Sequence, residues 1–359
     1  MYIHWTNHYF PKIFGILSFV ANPIFMYLIV TEQKSNSIGK YRFLIFFFAI
    51  FDMSYSTVEL LAPVVRLRFG IFSVFEDNLQ GIHGTGAAFV VCLTDGPFYG
   101  IKNLHLAQLA VSIRCGCISL SYGILIIHFI YRYITLFFPK LVASIFQSTG
   151  CICIFLFFIT HGIVWAGVCE LFLYGDNEMR DYIRDAFQKD YGVDSYDIAF
   201  LGAIYMEASD QVVERSWAGI LILTGISTYA VSLYIALGYK IMKKLRDNPA
   251  MSVTTKNMHK QLFRALSVQT IIPICISFSP CLVAWYGPVL GFDLGMWNNY
   301  LGVIALSAFP FMDPVAIILL LPAYRNRVFG VVPKAPVIVP TLVTRSSHRW
   351  TTTANVLAH

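Results

Sequence analysis

Asp52, Glu59, Arg114 and Asp313 stand deep inside long apolar stretches of a 359-residue chain. A charge at the centre of a bilayer costs about 2.5–3.5 kcal/mol even on permissive insertion scales, so each of these side chains needs a partner or a function. Asp52 lies eleven residues beyond Tyr41, and Asp313 lies eleven before Tyr324. In helices, both sit about 16 Å from the basic ends of their stretches. Asn22, eight residues before Val30, sits at about 12 Å by the same measure. Three polar groups from three segments therefore share a layer. Asn22-Pro23 and Asp313-Pro314 also free backbone carbonyls that can join it. Such a layer can be a hydrated pocket holding one shared proton or a sodium ion, because two acids without a nearby cation do not both ionise comfortably. Alternatively, each group finds its own serine or backbone partner and does nothing further.

Glu59 and Arg114 occupy the opposite halves of the second and third stretches, where they can form an ion pair. Glu59 is seven residues from Asp52 and so shares its helix face. The pair can line a ligand cavity or simply brace two helices. At the other end of the third stretch stands His128-Phe-Ile-Tyr131-Arg132-Tyr133. An arginine emerging there among interfacial aromatics can bind a partner's backbone, clamp a neighbouring helix, or serve as an ordinary membrane anchor. Pro273 and Pro280 are seven residues apart, about two turns, and so lie on nearly one face. Each removes a backbone hydrogen bond, which makes the sixth stretch a candidate hinge.

Enzymatic chemistry has no comparable foothold. The chain contains no H-E-x-x-H, G-x-S-x-G, P-loop or G-x-G-x-x-G pattern. His161, inside the fourth stretch, reads as a packed membrane histidine rather than an acyl-transfer base. Cys115/Cys117 and Cys151/Cys153 are C-x-C pairs within apolar segments and lack the complementary ligands that zinc requires. No cofactor is expected, save a sodium ion near Asp52 and Asp313. The 174–216 segment has no cysteine, so no disulfide can tie it to the third stretch.

These residues must be positioned by membrane helices. Only 13% of the chain is charged and 57% is apolar, with 30 Phe, 20 Tyr and 6 Trp. Ordinary globular chains are about one quarter charged, and no single soluble core can hide this much apolar surface. Seven stretches are long enough to span: Phe10–Val30, Tyr41–Val65, Leu104–Tyr131, Leu141–Leu173, Trp217–Tyr239, Ala265–Leu290 and Met296–Tyr324. Their apolar character is continuous rather than alternating, which predicts an all-α bundle. A shorter run, Ala87–Leu93, reads as part of an ordered external loop.

Orientation follows the basic residues. Placing the N-terminus outside and the C-terminus inside puts 17 of the 26 Lys and Arg in the inner loops and tail. The longest outer loop, 174–216, then holds ten acids against four bases. The net charge of +6 is therefore a topology signal and not a nucleic-acid footprint. Residues 1–330 form the membrane domain, and 331–359 read as a disordered cytoplasmic tail.

Several blocks together are specific: FPKIFGILSFVANPIFMYLI from Phe10, GKYRFLIFFFAIFD from Gly39 and GILIIHFIYRYITLF from Gly123. So are the blocks beginning at Ser216, Lys260 and Val303. On these, the chain resembles nematode chemosensory receptors of the Str superfamily, and within it serpentine receptor class J. The resemblance covers the chain to about Gly330 and implies a seven-transmembrane receptor of the G protein-coupled type. It would bind a small molecule and signal through a heterotrimeric G protein, from the plasma membrane of chemosensory neuron cilia. Arg132 stands where rhodopsin-like receptors carry the arginine of Asp-Arg-Tyr, and Asn22, Asp52 and Asp313-Pro314 resemble their polar layer. Departures are clear: Tyr131 replaces the acid, no tyrosine follows Pro314 at the usual spacing, and the Cys-Trp-x-Pro pattern is missing. The resemblance and the basic segments assign G-protein coupling to His128, Tyr131, Arg132, Tyr133, Lys260 and Arg264. Glu59 and Arg114 are the candidate ligand anchors, with membrane lipids surrounding the bundle. A seven-helix channel or transporter is the alternative, opposed by the basic-residue bias and the lack of an internal repeat.

Overall fold

Without water, a chain must satisfy its own backbone hydrogen bonds, and a helix does so within one segment. The computed structural model describes residues 5–31, 40–69, 88–248, 251–290 and 296–330. Along the chain run α1 (Trp5–Thr31), α2 (Tyr41–Leu61), α3 (Leu104–Phe137), a short α4 (Val142–Ile145), α5 (Ser148–Phe172) and α6 (Asn177–Tyr191). They continue with α7 (Asp210–Asp247), α8 (Val253–Pro273), α9 (Ser279–Leu290), α10 (Met296–Leu320) and α11 (Pro322–Val328). Five of them, α1, α2, α3, α5 and α7, are long and apolar enough to cross a membrane. The Ile304–Leu320 part of α10 qualifies together with α11, which bends from it by 94°. The sixth expected span is built from α8 and α9, joined by a π-turn at Ile274–Phe278. The 331–359 tail lies outside the described residues.

Several boundaries differ from the apolar stretches. The second helix stops at Leu61 rather than Val65, because Pro63 cannot continue the ladder and drives Ala62 out of helical geometry. The fourth stretch is broken into a 3₁₀ turn at Pro139–Leu141, then α4, then α5. The sixth starts at Val253 rather than Ala265, where the Ser252 hydroxyl accepts from the Thr255 amide and caps the helix.

The all-α expectation omits a small sheet. Strands β1 (Val64–Phe69), β2 (Ala88–Leu93) and β3 (Phe200–Ile204) pair antiparallel in the order β1-β2-β3. Ala88–Leu93, within the run expected to be a loop, is therefore the central strand; Ala87 lies outside the described residues. Phe89, Val91 and Leu93 join the helix-bundle core, while Ala88, Val90 and Cys92 join a second core with Met179, Ile183 and Phe187 of α6. The sheet thus lies between the bundle and α6 and closes one end of the bundle as a lid. Cys92, buried there, has its thiol pushed up to about 12 by loss of solvent.

Polar side chains fasten the 174–216 part of this lid, which has no cysteine. The Asp176 carboxylate accepts from the Met179 amide at 2.8 Å and starts α6, which ends at Gly192 with φ +66°. The buried Arg180 guanidinium donates to the carbonyls of Ser195 and Ile198. Arg215 reaches Asp176 at 2.7 Å and Arg184 reaches Asp194 at 2.8 Å. Glu178 accepts from Ser209, whose hydroxyl and amide hold the carboxylate below its usual range; the Tyr196 amide does the same for Asp194. A carboxylate with a depressed folded pKa stabilises the fold above its unfolded pKa, and that contribution is lost as pH falls through the folded value. Intrinsic-rate-corrected amide exchange in Phe200–Ile204 should therefore be flat from about pH 7 down to about pH 4 and quicken below it. Protection that stays constant through the acid range would remove these carboxylates from the fastening.

Close helix packing brings α3 against α5. A Cβ added at Gly116 would fall 2.9 Å from the Gly162 carbonyl oxygen, so only glycine permits this approach without a backbone shift. Across the same seam Ser112 and Gln108 donate to Glu170 at 2.6 and 3.1 Å. His161 is spent in packing: Nδ1 lies 3.0 Å from the Phe157 carbonyl, and its ring meets Phe157 edge-on at 4.5 Å.

Candidate functional site

One turn before the sheet, Glu59 in α2 meets Arg114 in α3. Arg114 Nη2 lies 3.2 Å from Glu59 Oε1, with the side chains 2% and 6% exposed. Ser307 of α10 donates to the same carboxylate oxygen. The guanidinium also lies 4.5 Å from the centre of the Tyr55 ring. Ser307 and Tyr55 are neutral side chains, so nothing in the sequence marks them beside the four membrane charges. Arg114 Nε remains buried without an acceptor. The cluster can thus hold a polar group of a ligand through that nitrogen, or brace α2, α3 and α10.

The middle of the bundle holds the second group of polar residues. Asn22, Asp52 and Asp313 are at most 1% exposed. Pro314 has no N–H to offer the Pro310 carbonyl, and that freed oxygen accepts from Asn22 Nδ2 at 3.0 Å. Asn22 also donates to Ser18 Oγ at 3.0 Å, which in turn accepts from Ser56 at 2.8 Å. Asp313 Oδ2 accepts from Gln269 Nε2 of α8 at 2.8 Å. Asp52 and Asp313 lie within electrostatic reach of each other. Oδ1 of each aspartate and of Asn22 is buried with no donor. Asn22 and Asp313 are therefore partly satisfied by their own partners, while three acceptor oxygens are left that suit a proton or a small hard cation. Gln269 was missed for the same reason as Ser307: a neutral amide in an apolar run carries no charge signal.

At the end of α3 away from the sheet, Arg132 does not emerge into solvent as the sequence suggests. It is 3% exposed, with its guanidinium carbon 3.6 Å from the Tyr41 ring centre and 6.0 Å from that of Tyr131. A weakly hydrated planar cation recovers part of what it loses in water from an aromatic face. Tyr41 and Tyr131 stack at 5.3 Å, and the Tyr41 hydroxyl lies 2.9 Å from His128 Nδ1. Arg132 Nε and Nη2 have no acceptor. Of the other residues in this set, Tyr133 is half-buried, and Lys260 and Arg264 are exposed on α8. Tyr41, 91 positions earlier in the chain, completes the clamp, although its sequence context marks it only as a helix boundary.

The two prolines of the sixth span flank its irregular part. Pro273 is buried at the end of α8, and the π-turn Ile274–Phe278 follows directly, with Pro280 one residue beyond Ser279. The Ser279 hydroxyl donates to the Ile274 carbonyl at 3.1 Å, which helps to satisfy the disturbed ladder. Gln269 joins this segment to Asp313, so the hinge candidate and the polar layer are in direct contact.

A family model described as serpentine type 7TM GPCR chemoreceptor Srj matches residues 1–328. Serpentine receptor class J-38 of Caenorhabditis elegans is 37% identical over 90% of this chain and 92% of its own length. Serpentine receptor class r-10 of the same organism is 23% identical over 88% of this chain and 87% of its own. The G-protein coupled receptor str-33, also from C. elegans, is 23% identical over 86% of each chain. These relatives are receptors and not enzymes. With its apolar spans, its buried polar axis and this match along nearly its whole length, the chain belongs to the Srj family of serpentine seven-transmembrane chemoreceptors.

Proposed function

We propose that this chain is a G protein-coupled chemosensory receptor of the plasma membrane of sensory cilia, with the N-terminus and the sheet outside and the C-terminus inside. The observation that carries the reading is the course of α3. One helix holds Arg114 in a buried cluster beneath the lid and Arg132 in a clamp at the far end. The two arginines are separated by about 27 Å of helix axis, as a device linking a ligand to a partner across the membrane requires. The ligand is a small, largely uncharged molecule with an acceptor for Arg114, and Glu59 is the second anchor. The G protein meets Arg132 once it is released, together with His128, Tyr131, Tyr133, Lys260 and Arg264. Asp52 and Asp313 share one proton or a sodium ion that stabilises the resting packing, and Asn22 and Pro314 complete that layer. Expression in a heterologous cell with a panel of odorants, read by G-protein activation and by membrane current, tests the reading. Ligand-evoked current that persists without any G protein would replace it with a ligand-gated channel.

Switching in this reading uses Pro273 and Pro280. A helix interior proline costs about 3 kcal/mol unless its surroundings compensate, so restoring the missing N–H shifts the balance between two arrangements of the span. At matched surface levels, Pro273→Ala or Pro280→Ala should change basal activity or maximal response by at least about threefold. Wild-type basal activity and efficacy in both variants would rule out this hinge.

A further inference from the structure

Three lysines of α7 converge on a cavity of about 600 Å³ whose floor is two aromatic rings of α3. Lys240, Lys243 and Lys244 line it with Tyr133, Phe137, Asp247 and Asn248. Tyr133 and Phe137 stack at 4.4 Å, with Lys240 Nζ 5.8 Å from the first ring and Lys244 Nζ 5.4 Å from the second. Spaced at i, i+3 and i+4, the three ammonium groups crowd one helix face, where like charges repel. Among the described residues none of them has an ion-pair partner. The acid at the rim, Asp247, is bound at 2.8 Å by Arg246. That carboxylate, shared with Arg246 and also within electrostatic reach of Lys243, is the one acid lining the cavity against three ammonium groups, which leaves a net positive cluster. Next to it α7 presents an apolar outer surface, with Ile235, Tyr239 and Met242 strongly exposed, as suits contact with lipid tails.

We infer that this cavity binds the phosphorylated headgroup of an anionic membrane lipid, with the lysines around the phosphates and the tails along α7. Anionic lipids are concentrated in the cytoplasmic leaflet, so the inference rests on the orientation proposed above. Bound there, the lipid would touch the helix turn that follows Arg132.

The test uses the full-length receptor reconstituted in phosphatidylcholine bilayers, with fluorescent phosphatidylinositol bisphosphate in both leaflets and no G protein. The wild type should bind the probe. The variant K240Q/K243Q/K244Q should bind about a hundredfold more weakly, the combined loss of three lysines near the surface. The charge-keeping variant K240R/K243R/K244R should retain binding. The control K260Q/R264Q removes two charges outside the cavity and should weaken binding clearly less, per charge removed, than K240Q/K243Q/K244Q. Equal weakening per charge in the control would reduce the effect to general charge attraction and overturn the site, as would full binding by K240Q/K243Q/K244Q. Soluble inositol trisphosphate binding as tightly as the lipid would assign the cavity to a free phosphate instead. A receptor that signals but binds no lipid refutes the site alone. One that binds lipid but activates no G protein under any ligand refutes the receptor reading alone.

Discussion

Removing Glu59 alone should deplete folded receptor at the cell surface, and more severely than removing Arg114 alone. Breaking a buried ion pair from one side leaves an uncompensated charge, at about 3–5 kcal/mol, against a total stability of about 5–15 kcal/mol. The two halves are not equivalent. Without Arg114, Glu59 still accepts from Ser307 and can take up a proton. Without Glu59, Arg114 keeps Tyr55, as a ring at 4.5 Å and a neutral side-chain hydrogen-bond partner, but no anion, and a guanidinium cannot shed its charge. Surface labelling should therefore fall by about tenfold or more for Glu59→Leu, less for Arg114→Met, and largely recover in the double variant. The recovered double variant also decides the role of the pair. If the two side chains anchor the ligand, its half-maximal concentration should rise by at least about tenfold, the loss of one charge-assisted contact. An unchanged dose–response would leave Glu59 and Arg114 as a brace between helices. Normal surface levels for Glu59→Leu would contradict the energetic reading altogether.

The parts of this structure that the sequence made legible are those the bilayer penalises most. Asp52, Glu59, Arg114 and Asp313 announce themselves because a membrane charge is expensive, and the helices because lipid admits no unsatisfied backbone. Pro314 was equally legible: a proline frees the carbonyl four residues earlier, and Pro310 supplies it to Asn22. The sheet was not. β2 is buried on both faces, so its sequence lacks the alternation that would mark a strand, and six residues cannot be told from a loop by hydropathy. β3 lies in an acidic segment whose helix, α6, dominates the local pattern. Glu170 escaped notice near the end of its stretch, although Gln108 and Ser112 hold it there. Neutral partners such as Gln269, Ser307 and Tyr55 carry no membrane penalty large enough to flag them. The inward turn of Arg132 depended on Tyr41, and no local rule connects two residues on different helices.

That clamp carries the other large effect expected of this receptor. Arg132→Ala should abolish ligand-driven G-protein activation while surface expression persists, because in the proposed coupling the arginine is the cation of α3 that reaches the docking partner once released, and its ring partners Tyr41 and Tyr131 include no buried acid. Hot-spot arginines typically contribute about 2 kcal/mol or more, so activation should fall by at least about thirtyfold. Tyr41→Leu should act in the opposite direction. The ring lies 3.6 Å from the guanidinium carbon, and a desolvated cation–π contact of about 2 kcal/mol holds the arginine inward. Its loss shifts the inward–outward balance by up to about thirtyfold, so basal activity should rise. Tyr41→Phe keeps the aromatic face and removes the hydroxyl, which lies near His128 and also interacts with Arg132. Its effect should therefore be smaller, on the order of a hydrogen bond of about 1 kcal/mol. The double variant Tyr41→Leu/Arg132→Ala separates release from general loosening. If Tyr41 acts by holding Arg132, the double variant is as silent as Arg132→Ala. Raised basal activity in the double variant would mean that Tyr41 restrains some other element, and normal signalling by Arg132→Ala would remove the arginine from the coupling surface.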